Sequence, residues 1–106
     1  MNADEFVSRW HREKDSLLSE FTNPSSGAAA AVLIAGLGLS SEQAAGVARA
    51  MDMAISDTMY TLLLGLDGAA GIGGVQESFR IRTEQGASVA EPGELEAAAW
   101  RHFHGH

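Results

Sequence analysis

The side chains able to do chemistry fall into a few groups, and each lacks something that the chemistry needs. The most conspicuous is the run Gly68-Ala69-Ala70-Gly71-Ile72-Gly73-Gly74, dense enough in glycine to suggest a phosphate loop. Nucleotide-binding glycine loops follow a strand and open a helix, so that the phosphate meets helical N–H groups. Here the order read from the sequence is helix, glycines, strand, and no Gly-Lys-Ser/Thr is present. The run therefore reads as a tight helix-to-strand turn that needs positive φ or close backbone approach. Asp52, Asp57 and Asp67 lie on or just after a long helix, and Glu77 lies on the strand beyond. A catalytic carboxylate pair needs a cleft and a perturbed pKa, and neither is visible in this spacing. Asp57 and Tyr60 stand three apart and share a helix face. Glu77, on the otherwise apolar strand face, reads as a solvated position or a salt bridge to Arg80 or Arg82.

His102, His104 and His106 alternate at the C-terminus, a spacing that could chelate a divalent ion. A frayed end gives such a site no fixed geometry, so no metal or other cofactor is expected. Cysteine is absent, which removes disulfides, zinc–thiolate sites and a thiolate nucleophile, and fits a reducing cytoplasm. Serines are plentiful, but no Gly-x-Ser-x-Gly elbow exists and no histidine neighbours a strand-to-helix turn. Arg80 and Arg82 share the outward strand face. They read as solvated charge or as a contact for an acidic partner or carboxylate ligand.

The elements that must position these residues follow from periodicity. Residues 3–21 form an amphipathic helix with Phe6, Trp10, Leu17 and Phe21 on one stripe, flanked by Val7 and Leu18. Asp4 and Glu5 sit in its first turn, where they favour the positive end of the helix dipole. Asn23-Pro24 ends it. A second helix over 28–37, capped by Ser25 or Ser26 and stopped by Gly38, is apolar nearly all round and is expected to be buried. Ser40 and Gln43 form a capping box for a third helix over 41–66, with Ser56-Asp57 as a potential break and Gly46 as a potential close contact with the second helix. After the glycines the period changes to 2. Val75, Phe79 and Ile81 predict a half-buried strand, Glu84-Gln85-Gly86 a turn, and 87–90 a short return strand. A last helix over 94–103 turns Leu95, Ala98 or Ala99, and Phe103 inward, with Trp100 at the margin. The expectation is one α+β domain over residues 1–106: three N-terminal helices, a glycine-rich turn, an antiparallel β-hairpin and a C-terminal helix.

The chain has 106 residues, enough for one core, with 45% hydrophobic residues and a formal net charge of −7. That charge repels nucleic-acid phosphates and anionic membranes, and suits basic partners. The N-terminus lacks the basic region of a secretory signal. The most apolar stretch, 28–39, is shorter than the roughly 20 residues that cross a bilayer.

The segment Asp57-Thr58-Met59-Tyr60-Thr61-Leu62-Leu63-Leu64-Gly65-Leu66-Asp67-Gly68, followed by Ile72-Gly73-Gly74-Val75-Gln76-Glu77, resembles a block in small uncharacterised bacterial proteins, some of them similar to the immunity-type proteins found beside toxins. Gly93-Glu94-Leu95-Glu96 and Phe103 extend the likeness, which covers the C-terminal half. It implies that helix, turn and strand form one module in a small bacterial cytosolic protein, and it assigns no residue a role. The function expected is a non-enzymatic interaction protein, immunity-like or a homodimer. The rival is a small-molecule binder or enzyme with a pocket between the third helix and the hairpin, where Tyr60, Asp67, Gln76, Arg80 and Arg82 are the residues to watch.

Overall fold

An Asn2 side chain that accepts from the Glu5 N–H opens the first helix, α1, over Ala3–Phe21. Asn23 then caps a 3-10 turn over Pro24–Ser26 through Ser25 N–H, so the break at Asn23-Pro24 falls where proline requires it. Helix α2 is short, Ala29–Ala35, and Ser26 Oγ accepts from Ala28 N–H at its entrance. Helix α3 runs unbroken over Ser41–Leu66. Its capping box forms as the sequence specifies, with Gln43 N–H donating to Ser40 Oγ at 3.1 Å and Ser40 N–H donating to Gln43 Oε1 at 3.0 Å. Strands β1 (Gly71–Ile72) and β2 (Val75–Gln76) pair antiparallel, and helix α4 covers Glu94–Phe103. The computed structural model describes residues 1–105. The α+β layout of helices, hairpin and C-terminal helix is the one expected.

The hairpin sits elsewhere than its predicted place. Gly73 and Gly74, with φ of 61° and 83°, make a two-residue turn inside the glycine run, the backbone that matches strand twist. Ile72 therefore pairs with Val75 before the predicted strand has begun. Residues 77–90 keep one isolated bridge, Arg82 to Ser88, around the expected turn at Glu84-Gln85-Gly86. Val75 and Phe79 are exposed rather than inward.

The chain divides into two compact units: a terminal unit of Met1–His11 with the chain from Ser56 onward, and a middle unit, Arg12–Ile55. The terminal unit holds the core: Ala3, Val7, Leu63, Leu95, Ala98, Ala99 and Phe103 are buried together. Helical spacing on α4 places its four members of this set on one stripe. Gly65 lets the hairpin seat against α3, since a Cβ there would strike the Ile72 side chain.

The middle unit buries little. Ala31 is its buried apolar residue, and Lys14 its buried charge, among the described residues. The expectation that α2 is enclosed is overturned: Val32, Leu33 and Leu37 are 55%, 68% and 61% exposed. The seven residues of α2 turn Ala31 and Ile34 inward and leave the opposite face open. Even the inner side is loosely filled, with a groove of about 220 Å³ bordered by Phe21, Ala31, Ile34, Leu39 and Ala44. Gly46 mediates no close approach, because a Cβ there would meet nothing within 4 Å.

Candidate functional site

Asp67, one residue past α3, is tied into the fold. Its Oδ1 accepts from Gly93 N–H and its Oδ2 from Glu96 N–H, each at 2.9 Å. These N–H groups belong to the N-cap and the first turn of α4, where donors lack intrahelical partners and negative charge is favoured. Gly93 holds φ at 87° and offers no side-chain cap, so a carboxylate from a distant part of the chain performs the capping. Glu94 completes the arrangement by accepting from Glu91 N–H at 2.6 Å. Gln76 donates from Nε2 to the Gly68 carbonyl at 2.7 Å, and Phe79 N–H donates to the Leu66 carbonyl. The structure thus brings Asp67 and Gln76 to one joint, and both side chains hold backbone there.

Tyr60 points to a different neighbourhood. Its ring meets His104 edge-on with centroids 4.3 Å apart, and His104 lies 5.4 Å from Trp100. Tyr60, Gly93, Glu96, Ala97, Trp100 and Arg101 border an open groove of about 430 Å³. The wall opposite Tyr60 is α4, not the hairpin. Arg80 and Arg82 are exposed, and Arg82 donates from Nη1 to the Gly86 carbonyl at 3.4 Å. The five residues singled out by sequence therefore do not converge on one pocket.

Two charged clusters were not foreseen. Lys14 is 7% exposed and donates to Asp15 and Asp52, each at 2.9 Å. Burial disfavours the ammonium, but the hydrogen bonds to Asp52 and Asp15 outweigh it and raise the pKa above the ordinary lysine value. Its signal in the sequence is a charge seven residues from Val7 and from Phe21 on the α1 stripe. Asp4 receives His102 Nε2 at 2.9 Å and Arg101 Nη2 at 3.2 Å. Those hydrogen bonds, from His102 first and Arg101 second, hold its carboxyl below the ordinary carboxylate value. This contact occupies His102, one member of the C-terminal histidine series, while His106 lies outside the described residues. No group of three metal-ligating side chains capable of holding an ion occurs among the described residues, and no helix among them is long and apolar enough to cross a membrane.

The remaining candidate is the open face of α2. From Thr22 to Ser41 the chain contains no charged residue, and within that stretch Val32, Leu33 and Leu37 face solvent. The chain matches no family model, no curated protein and no solved structure.

Proposed function

We propose that the chain is a non-enzymatic protein-interaction protein whose docking surface is the exposed face of α2. The observation that carries this reading is the display of Val32, Leu33 and Leu37 within an uncharged stretch. Clustered apolar side chains left in water mark interaction surfaces. The resemblance of the C-terminal half to small uncharacterised bacterial proteins, some of them similar to immunity-type proteins, is in keeping with a protein partner. The net charge of −7 opposes nucleic acid and anionic membranes as alternatives, and a chain without cysteine suits a reducing cytoplasm.

The test is to follow the amide resonances of isotope-labelled protein, alone over a concentration series and then in extract from its native cell. Resonances from residues 28–39 should shift or broaden in at least one setting. If they stay fixed in both while the rest of the spectrum is intact, the reading fails.

A second reading, small-molecule binding or turnover, is favoured by the groove beside Tyr60, where Trp100 and Arg101 place an aromatic face and a cation together. Tryptophan fluorescence of the wild type and of Trp100→Phe against a panel of carboxylates tests it, with saturable quenching absent from the variant as the supporting result.

A further inference from the structure

We propose that the groove beside Tyr60 binds a quaternary ammonium group carried by a small molecule. The proposal rests on the second reading, that this groove takes a small molecule, and it sets the sign of the ligand's charge.

The first argument is which charges are already occupied. Two features bordering the groove would draw an anion: the donors at the start of α4 and the Arg101 guanidinium. Both are engaged inside the fold. Gly93 N–H and Glu96 N–H donate to Asp67, whose carboxylate fills the place that an anionic ligand would take. Arg101 donates from Nη2 to Asp4 Oδ1 at 3.2 Å, beside a neighbouring groove that Asn2 and Glu94 also border. The Glu96 carboxylate, by contrast, makes no hydrogen bond or ion pair among the described residues. Of the two charged side chains that border the groove, the uncommitted one is therefore negative. The chain's net charge of −7 adds attraction for cations at longer range.

The second argument is the surface offered. Glu96, Ala97, Trp100 and Arg101 share a face of α4 by their spacing, and Tyr60 of α3 borders the same groove. Trp100 is 55% exposed, an unusual display for so large an apolar side chain. His104 contacts both rings, with centroids 4.3 Å from Tyr60 and 5.4 Å from Trp100, so the two aromatic systems share one neighbourhood. A cation within about 6 Å of a ring centroid is attracted by the ring quadrupole, most strongly by tryptophan.

The third argument is the supply of hydrogen-bond acceptors. The Gly93 carbonyl accepts from Ala97 N–H at 3.1 Å, and the Trp100 carbonyl from His104 N–H at 2.8 Å. A primary ammonium or a guanidinium brings several N–H donors that need partners. A cation sheathed in methyl groups brings none, and rings, the Ala97 methyl and one carboxylate suit it. The volume of about 430 Å³ lies within the range of small-ligand sites.

Titration of isotope-labelled full chain with choline chloride at constant ionic strength tests the proposal. The Ala97 amide and the Trp100 indole N–H should shift saturably in the millimolar range, while the Trp10 indole stays fixed. The neutral isostere 3,3-dimethyl-1-butanol should bind at least about tenfold more weakly, because only the cation gains from the rings and the carboxylate. Trp100→Ala, read at Ala97, should weaken choline at least about tenfold. Glu96→Gln keeps the backbone donor to Asp67 and should weaken it about threefold or more. Both variants should retain the wild-type circular dichroism, since the altered side chains are exposed. Phosphatidylcholine vesicles carry the same headgroup, and co-sedimentation that Trp100→Ala abolishes would overturn a free ligand in favour of a lipid. No saturable shift with choline overturns the proposal, as does equal binding of the isostere or an affinity indifferent to both variants. If carboxylates bind and choline does not, the cation is excluded and the small-molecule reading survives. If neither binds, both fail.

Discussion

The terminal and middle units draw on the same kinds of residue and use them in opposite ways. In the terminal unit α4 turns Leu95, Ala98, Ala99 and Phe103 onto Val7 and Leu63, and all of these are buried. In the middle unit all seven residues of α2 are aliphatic, yet Val32 and Leu33 point to water. Each fully buried Leu or Val side chain contributes about 1.5–3 kcal/mol relative to exposure, so the terminal unit is where the fold is held. The contrast teaches that apolar content and apolar burial are separate quantities. Where the first exceeds the second, the surplus surface is available for a partner.

The strongest way to break the comparison is to truncate one leucine from each unit. Leu63 is 0% exposed. Leu63→Ala should lose about 2–5 kcal/mol, from removed transfer energy and the cavity left behind. Leu33→Ala should change the stability of the dilute protein by no more than about 0.5 kcal/mol. Urea unfolding of both variants reads the difference, and comparable losses would erase the distinction between the units.

The middle unit is not without fixed points, and Lys14 is the chief one. Its ammonium is buried while the side chains of Asp15 and Asp52 are 60% and 44% exposed. Lys14→Met should therefore cost about 1–2 kcal/mol, between the values for exposed and for buried ion pairs. The folded-state pKa lies above the ordinary value of 10.5. The stabilisation is thus fully present below that value and disappears as pH rises through the folded-state pKa. Unfolding of wild type and variant between pH 8 and 12 should converge at the alkaline end.

In the terminal unit the comparable fixed point is Asp67. Asp67→Ala leaves the N-cap and one first-turn N–H of α4 without their acceptor and should cost about 1–2 kcal/mol. Amide exchange at Gly93 and Glu96 should accelerate more than exchange at Leu63. Asp67→Asn, with one carbonyl oxygen in place of two, should fall between.

How much of this was legible in the sequence depends on how far apart the interacting residues lie. The Ser40–Gln43 box, the break at Asn23-Pro24 and the inward stripe of α4 involve neighbours within a turn or two, and each was readable. Asp67 was singled out as a candidate for a pocket, but its partners Gly93 and Glu96 lie 26 and 29 residues on, beyond any local pattern. The hairpin was displaced because alternation of Val75, Phe79 and Ile81 was read as burial. The decisive signal was Gly73-Gly74, whose positive φ closes a tighter hairpin first. For α2 the composition was unambiguous and the inference from it failed: an all-apolar helix is buried only if something covers it.

Gly46 and Gly65 give a smaller test of the same contrast. A Cβ at Gly65 strikes Ile72, whereas one at Gly46 meets open space. Gly46→Ala should therefore raise stability by about 0.5–1 kcal/mol, from helix propensity and a less flexible unfolded chain. Gly65→Ala should gain less or lose. A gain at Gly65 equal to that at Gly46 would show that the hairpin is not seated tightly on α3.

The smallest effect expected is the pH response of Asp4, where α1 and α4 of the terminal unit exchange charge. Hydrogen bonds from His102 and Arg101 depress its folded-state pKa below the ordinary 3.8. A depressed carboxylate stabilises the fold above its unfolded pKa, and that contribution is lost as pH falls through the folded value. The window is therefore acidic, below about 3.9. Asp4 is exposed and its hydrogen bonds to His102 and Arg101 lie open to solvent, so the effect should shrink further in high salt. Unfolding midpoints of wild type and Asp4→Asn should differ slightly at pH 5 in low salt and converge by pH 2. A difference that persists at pH 2 would assign the Asp4 contribution to packing at the α1 terminus rather than to charge.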